Sequence, residues 1–568
     1  VRSLPSVWLP VPRRRAKSGP VGCGQYSIWL DITEKPDGTG FFNPSADVEV
    51  PDGATLDDVL AELAELLRRF ESLCTVYERD SSGELRQSLL TEGRVEVRLL
   101  EHDGPGIPWP EVNSYRARVQ RESFDLAAEP PFRATVVLAG GRPVLVLMHT
   151  PHITADGGGI INLADELDRL IAASAAGAPR PPARPARQPL EQAAHERSPH
   201  ARRRIDRAAG HWARQLDQAP RTMFPGPLRE APGDPYHATV LYSRAAALAL
   251  NALVVRQGTS GSTALLTATA LVLGAFAEQP ACTLQIISAN RFQAAEQDAV
   301  TCMIQAVPVT LDLAEGTVQD AMARAWTAAI SAYRNGVYDR ARVRALAAEA
   351  EQRRREHLDL SAYFNDMRKE TARDPALAEA ATPDVVRAAL DDTLVRTEPA
   401  VEQVAFALYA EDAPDRVRLT LHADARRIDA DEARSLLHGV ERLLAEAAFR
   451  DVGLAEVPEV TGVRPRPRGP GRWHLLRRCW TDLDAVAALV SAAAPGAAVE
   501  VAMEGAEPEV VARVRYPGPP PVTEAEIHRA CMAALPGHPS AVAPRRYLLS
   551  GQDAPSAPSP AAARFGGG

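Results

Sequence analysis

Apolar positions along this chain recur with two periods, and the switching between them outlines its elements. After Thr55-x-x-Asp58, a capping pair, Val59, Leu60, Leu63, Leu66, Leu67 and Phe70 fall at helical spacing and predict a helix with one face in a core. Thr135–Leu138 and Val144–Met148 are short apolar runs split by Gly140-Gly141-Arg142-Pro143, the composition of a hairpin. The second run ends in the polar turn His149-Thr150-Pro151-His152-Ile153-Thr154-Ala155-Asp156. Three glycines then open a helical pattern through Ile161, Leu163, Ala164, Leu167 and Leu170. Strand, loop and helix follow in that order. Phe41-Phe42-Asn43 and the alternating Ala46, Val48 and Val50 predict an earlier strand, and residues 1–20, with Pro5, Pro10 and Pro12, read as an irregular lead-in.

Composition shifts divide the chain. Residues 176–200 carry Pro179, Pro181, Pro182, Pro185 and Pro189 among Arg and Ala, as in a linker or extended crossover, which makes 1–200 a first lobe. A helix around Arg202–Leu216 would open a second lobe, 201–460. There Thr263–Phe276 is apolar nearly all round and predicts a buried helix. Leu284–Ile287 predicts a strand, Val404–Tyr409 with Val417–His422 a hairpin, and Asp431–Phe449 a closing helix. Gly462–Gly471 alternates Pro and Gly with Arg and reads as a second linker. Residues 472–551 then form a small α+β unit, with helices at Leu483–Ala493 and Glu524–Ala534 and strands near Ala498–Met503 and Glu509–Val514. The Ala/Ser/Pro/Gly segment 552–568 has the composition of a disordered tail.

Charge narrows the function. A net charge of −9 implies no domain-wide basic surface and argues against a nucleic-acid partner. No apolar run approaches the ~20 residues of a membrane span. Six scattered cysteines without a C-x-x-C pair read as free thiols in a reducing cytoplasm, with no metal site. The chain is expected to be cytoplasmic.

The chemistry concentrates in the turn after the second apolar run. A strand that delivers an imidazole to a loop beside a carboxylate and glycines is a way to mount a general base, which singles out His152. An isolated loop histidine is more often a surface or capping residue. His149, on the strand, would point the other way if Met148 faces the core.

Pro151-His152-Ile153-Thr154-Ala155-Asp156-Gly157 resembles the HHxxxDG signature of nonribosomal peptide synthetase condensation domains, in the chloramphenicol-acetyltransferase-like superfamily, with Pro151 in place of the first His. Further resemblances follow in the family's order. Val21–Leu30 is similar to its first motif, and Arg69–Tyr77 to RHExLRTxF with Phe70 and Cys74 as departures. Met303–Val309 is similar to the FVNTLPLR motif with Gln305 near its Asn, and Ala362–Arg368 to a motif of condensation-like proteins. Together they span about 20–455.

The resemblance implies an α/β fold of two chloramphenicol-acetyltransferase-like lobes in a V, with the active site at the seam. It implies an acyltransferase that joins a carrier-bound acyl or aminoacyl thioester to an amine or hydroxyl acceptor, with His152 as the base. Asp156 would be turned into a structural ion pair, for which Arg69 is a candidate partner unless it is simply exposed at a helix end, and Gly157 would leave room for the pantetheine or acceptor. Asn290, Arg291, Gln305 and Asn365 are candidates for lining the channel, with a role in turns as the alternative. No cofactor would be bound, since substrates ride on phosphopantetheine arms. The chain shows no serine in a recognisable attachment context, so the enzyme would be free-standing and its acyl or peptidyl carrier proteins would act in trans. A coenzyme A-dependent acyltransferase and an inactive, partner-recruiting relative stay open. Residues 530–548 resemble the C-terminal subdomain of adenylate-forming enzymes, but that subdomain's lysine has no counterpart, the three lysines being Lys17, Lys35 and Lys369. This unit would be an interaction or scaffolding appendage.

Overall fold

The computed structural model describes residues 1–34, 43–231, 233–369, 375–400, 402–506 and 508–551. Phe41-Phe42 and the tail 552–568 lie outside the described residues.

The capping pair starts a helix as expected. Thr55 Oγ1 accepts from the Asp58 amide at 3.2 Å and Asp58 accepts from the Thr55 amide at 2.9 Å, at the head of Leu56–Arg69. This helix buries Val59, Leu63, Leu66 and Leu67 completely and packs against the helix Gly157–Ala175. The two lie over a five-stranded sheet ordered Arg2–Pro10, Arg94–His102, Arg133–Ala139, Arg142–His149, Ser45–Glu49. Gly140 and Gly141, at φ 57° and 77°, close the expected hairpin with the positive dihedrals that a tight strand connection requires.

The first ten residues correct the sequence reading. They form the edge strand Arg2–Pro10, whose register shifts between Leu4 and Val7. An edge position and a bulge are the two places where a sheet accepts proline, which lacks the ladder donor, so Pro5 and Pro10 do not preclude a strand.

The second lobe is a seven-stranded sheet ordered Gln305–Asp312, Ala281–Ser288, Ala362–Asp366, Phe406–Ala413, Arg416–Asp424, Tyr236–Ser243, Leu394–Pro399. The apolar helix Gly261–Ala277 is buried from Thr263 to Gly274, and Ala430–Ala447 closes the lobe. Between the lobes, residues 178–188 belong to no helix or strand and lead into the helices Pro189–Glu196 and Pro199–Gln218. That strap is fixed at both sides: Arg69 donates to the Pro181 carbonyl and the Arg187 amide to the Ala295 carbonyl, at 2.7 and 2.9 Å. Among the described residues no single helix is long and apolar enough to cross a membrane.

The C-terminal unit has a three-stranded sheet, Ala498–Glu504, Glu509–Tyr516 and Arg546–Gly551, with helices Leu483–Ala493 and Glu524–Ala534. Trp473–Leu476 and Cys479–Asp482 add a hairpin absent from the sequence reading. The unit is bolted to the second lobe by Arg221, whose buried guanidinium donates to Thr481 Oγ1 and to the carbonyls of Trp480 and Pro539 at 2.9, 2.7 and 2.9 Å. The segment before it is tied down as well: the Arg466 amide donates to Phe276 and its guanidinium to Pro227.

Removing the Arg221 guanidinium would strand three acceptors, each costing about 1–3 kcal/mol when buried unpaired. Arg221→Ala is therefore expected to speed limited proteolysis between 462 and 472 while the two lobes stay intact; an unchanged cleavage rate would contradict this account of the joint.

Candidate active site at the lobe seam

The strand Arg142–His149 is flanked on both sides, by Arg133–Ala139 and by Ser45–Glu49, so its end is fixed in space. The chain then makes a tight turn, with the Thr154 amide donating to the Pro151 carbonyl at 2.9 Å. Ile153, Thr154 and Ala155 are fully buried and anchor the turn, Ile153 packing with Val21, Ile28, Tyr77, Leu85 and Cys302. His152, between buried Pro151 and Ile153, stays half-buried.

Burial lowers the pKa of His152 from its ordinary 6.5, while a hydrogen bond to its own main chain and the negative charge of Asp156 act the other way. The net direction is down, so the imidazole is neutral at pH 7. The nitrogen able to reach its own main chain is Nδ1, which leaves Nε2 on the far side of the ring. Cys302 Sγ sits 3.9 Å from Nδ1. Burial pushes that thiol well above its usual range, so it remains protonated and is no nucleophile.

Asp156 is wholly buried and caps the helix Gly157–Ala175, accepting from the Gly159 amide at 2.8 Å. Its other bonds cross to the second lobe. Arg291 Nη2 donates to Oδ1 at 2.5 Å, and the amides of Met303 and Ile304 donate to Oδ2 at 2.8 and 3.2 Å. One carboxylate thus joins both lobes four residues from His152. A buried charge persists only when paired and hydrogen-bonded, and here both oxygens are.

The expected partner is corrected. Arg69 is neither exposed nor paired with Asp156. It bonds Glu65 at 2.9 Å, Glu166 at 2.5 Å and the Pro181 carbonyl, holding the helices of the first lobe to the strap. Arg291 fills the place given to Arg69.

Of the candidates for channel lining, Asn290 and Gln305 prove structural. Asn290 is buried at φ 56°, a conformation Asn tolerates better than most residues, and its amide donates to the Met303 and Gly336 carbonyls at 2.8 and 3.1 Å. Gln305 is buried and donates to Ser27 Oγ at 2.9 Å and to the Tyr338 carbonyl at 3.0 Å, a second stitch between lobes. Asn365 is half-buried in the strand Ala362–Asp366 opposite Tyr409, rather than in a turn. His149 is buried with Glu122 Oε2 at 3.9 Å and the Phe124 ring at 5.9 Å, away from the seam.

Gly157 has open space where a side chain would stand, whereas a Cβ on Gly158 would meet Arg291 Nε at 2.6 Å. The second glycine therefore lets the arginine reach Asp156. It went unnoticed in the sequence because only the first glycine belongs to the signature. Cys302 was also missed, since nothing local marks a residue as facing a histidine 150 positions earlier.

The family model for the condensation domain matches residues 32–444. The chain belongs to the condensation-domain family. Curated relatives include synthetases of which this chain spans only a small share. A linear gramicidin synthase of Brevibacillus parabrevis is 25% identical over 342 residues, 59% of this chain and 4% of that protein. AMB antimetabolite synthetase AmbB of Pseudomonas aeruginosa is 27% identical over 312 residues, 53% of this chain and 24% of that protein. This condensation-family chain thus spans well under two thirds of those relatives. Among solved structures, the X-domain from teicoplanin biosynthesis has a TM-score of 0.58 at 17% identity, covering 77% of this chain and 96% of that one. The first condensation domain of the calcium-dependent antibiotic synthetase has a TM-score of 0.57 at 13% identity, covering 76% and 96%. The fold, two chloramphenicol-acetyltransferase-like lobes, is shared.

Breaking a buried ion pair costs about 3–5 kcal/mol, because the surviving charge is left unpaired; an exposed pair contributes about 0–1 kcal/mol. Asp156→Ala should accordingly lower the thermal midpoint by several degrees, and Asp52→Ala, which breaks the exposed pair with Arg142, should not. Equal midpoints for the two variants would contradict the seam's dependence on Asp156.

Proposed function

We propose that this condensation domain joins an acyl or aminoacyl group, carried as a thioester on the phosphopantetheine arm of a carrier protein supplied in trans, to the amine or hydroxyl of an acceptor. The setting is specialised-metabolite biosynthesis in the cytoplasm. The observation that carries the reading is a half-buried imidazole at the seam of two lobes, beside a carboxylate already consumed by structural bonds. In this reading Asp156 does not meet substrate, and His152 alone manages the proton.

A thioester is already activated, so holding two reactants together supplies much of the rate. The acceptor nitrogen attacks the thioester carbonyl as His152 Nε2 takes its proton. The tetrahedral intermediate collapses, the C–S bond breaks, and the imidazolium proton passes to the departing thiolate. An amide and a free pantetheine thiol result. No bound cofactor takes part, and Gly157, open on its Cβ side, leaves room for the arm.

Pro151, in place of the family's first His, favours a second reading in which the site does not turn over and the chain recruits partners. Reconstitution with a loaded carrier and an amine separates the two. General-base removal is worth roughly 10²–10⁴-fold, so His152→Ala should lose that much product formation by mass spectrometry, whereas the recruiting reading expects wild type and variant to be equally inert. A coenzyme A-dependent transferase would instead turn over acyl-coenzyme A without a carrier.

The depressed pKa sets the pH dependence. Only neutral imidazole accepts a proton, so kcat/KM should rise with pH through a midpoint below 6.5 and be flat beyond it. A midpoint above 6.5 would show that burial does not govern this ring.

A further inference from the structure

The helix Pro199–Gln218 sorts its charges. Asp206 and Asp217 face the helix Arg340–Arg354, where they pair with Arg342 and Arg353. Arg204, Arg207 and Arg214 face the other way, into a groove of about 980 Å³. At roughly 100° per residue these three arginines lie within about 80° of one another, and at 1.5 Å per residue they extend about 15 Å. The opposite wall is the helix Val318–Arg334, which presents Trp326, Ile330 and Arg334 at i, i+4 and i+8 over about 12 Å. Both helices pack on Gln305–Asp312, the edge strand of the larger sheet, so the groove lies between two rigid rails.

Two features set this groove apart. Its lining contains no carboxylate, and the four arginines form no ion pair among the described residues, although the chain as a whole is acidic. Its aromatic residues are bare: Phe292 is 52% exposed and Trp326 49% exposed, with the Arg204 guanidinium 5.8 Å from the Phe292 ring centroid. Tryptophan and arginine are the side chains that most often dominate binding energy at protein interfaces. One cationic rail and one largely apolar rail, each two to three helical turns long, match a helix laid in a groove.

We infer that this groove docks an acidic amphipathic helix of a partner protein, its apolar i, i+4 stripe against Trp326 and Ile330 and its carboxylates toward Arg204, Arg207 and Arg214. The inference is independent of turnover at His152. Phe292 directly follows Arg291, so the docked helix would end beside the bond between Arg291 and Asp156.

The test uses the full chain and a fluorescein-labelled, stapled peptide of about four turns, with Leu along one face and Glu elsewhere. Its controls are a scrambled isomer, a Lys-for-Glu counterpart and a single-stranded oligothymidylate. Anisotropy should show the acidic peptide binding at least about tenfold more tightly than the scrambled isomer, weakening with salt as expected for exposed charges. The Arg207→Glu/Arg214→Glu variant and, separately, Trp326→Ala should each lose about tenfold or more. Unchanged thermal midpoints would tie those losses to the groove. Equal affinity for acidic and scrambled peptides, or no loss in either variant, would overturn the inference. So would arginine-dependent binding of the oligothymidylate in place of the peptide, which would assign the groove to nucleic acid.

Discussion

The buried carboxylate of Asp156 is the constraint on which the seam depends. A charge removed from water must be met on both oxygens or it neutralises or unfolds its surroundings. Here the first lobe supplies the Gly159 amide, and the second lobe supplies Arg291 and the amides of Met303 and Ile304. Because the carboxylate caps its own helix, the turn carrying His152 is referenced to that helix and to the opposite lobe at once. Gln305 to Ser27, and Asn162 to the carbonyls of Gln297 and Ala299, repeat the stitching nearby. The position of the imidazole is thus set by contacts between lobes as much as by the strand that delivers it.

This arrangement separates two jobs that neighbouring groups might share. A carboxylate hydrogen-bonded to the histidine would orient and charge it. Asp156 instead spends its acceptors on the seam and reaches His152 only as a nearby negative charge. The ring is oriented by its own main chain and packed beside a thiol that burial keeps protonated. In the proposed reaction the electrophile needs no further activation and one proton must leave the attacking nitrogen, so a neutral imidazole is the form of His152 that the proposal requires.

Much of the fold was legible because local patterns and tertiary structure agree. The Thr55 helix, the Gly140-Gly141 hairpin, the apolar helix Gly261–Ala277 and the closing helix each have a period and a terminus written in adjacent residues. The order of the motifs pointed to the family that the condensation-domain model then matched. What escaped was non-local. The Arg2–Pro10 strand is made by pairing with residues 84 to 99 positions later, and its prolines argue against it until the edge position is known. Arg69 and Arg291 sit in equally plausible cationic contexts, and only the packing of the lobes decides which one meets Asp156. Asn290 and Gln305 look like polar channel residues in sequence, yet both are buried, their amides consumed by main-chain and side-chain partners.

The state of one ring decides the account. Nitrogen-15 NMR of histidine-labelled protein, with His152→Ala identifying the resonances, reports both charge and tautomer. The account predicts a neutral His152 at pH 7, protonated on Nδ1 with Nε2 bare. A charged ring at that pH, or a proton resident on Nε2, would contradict it.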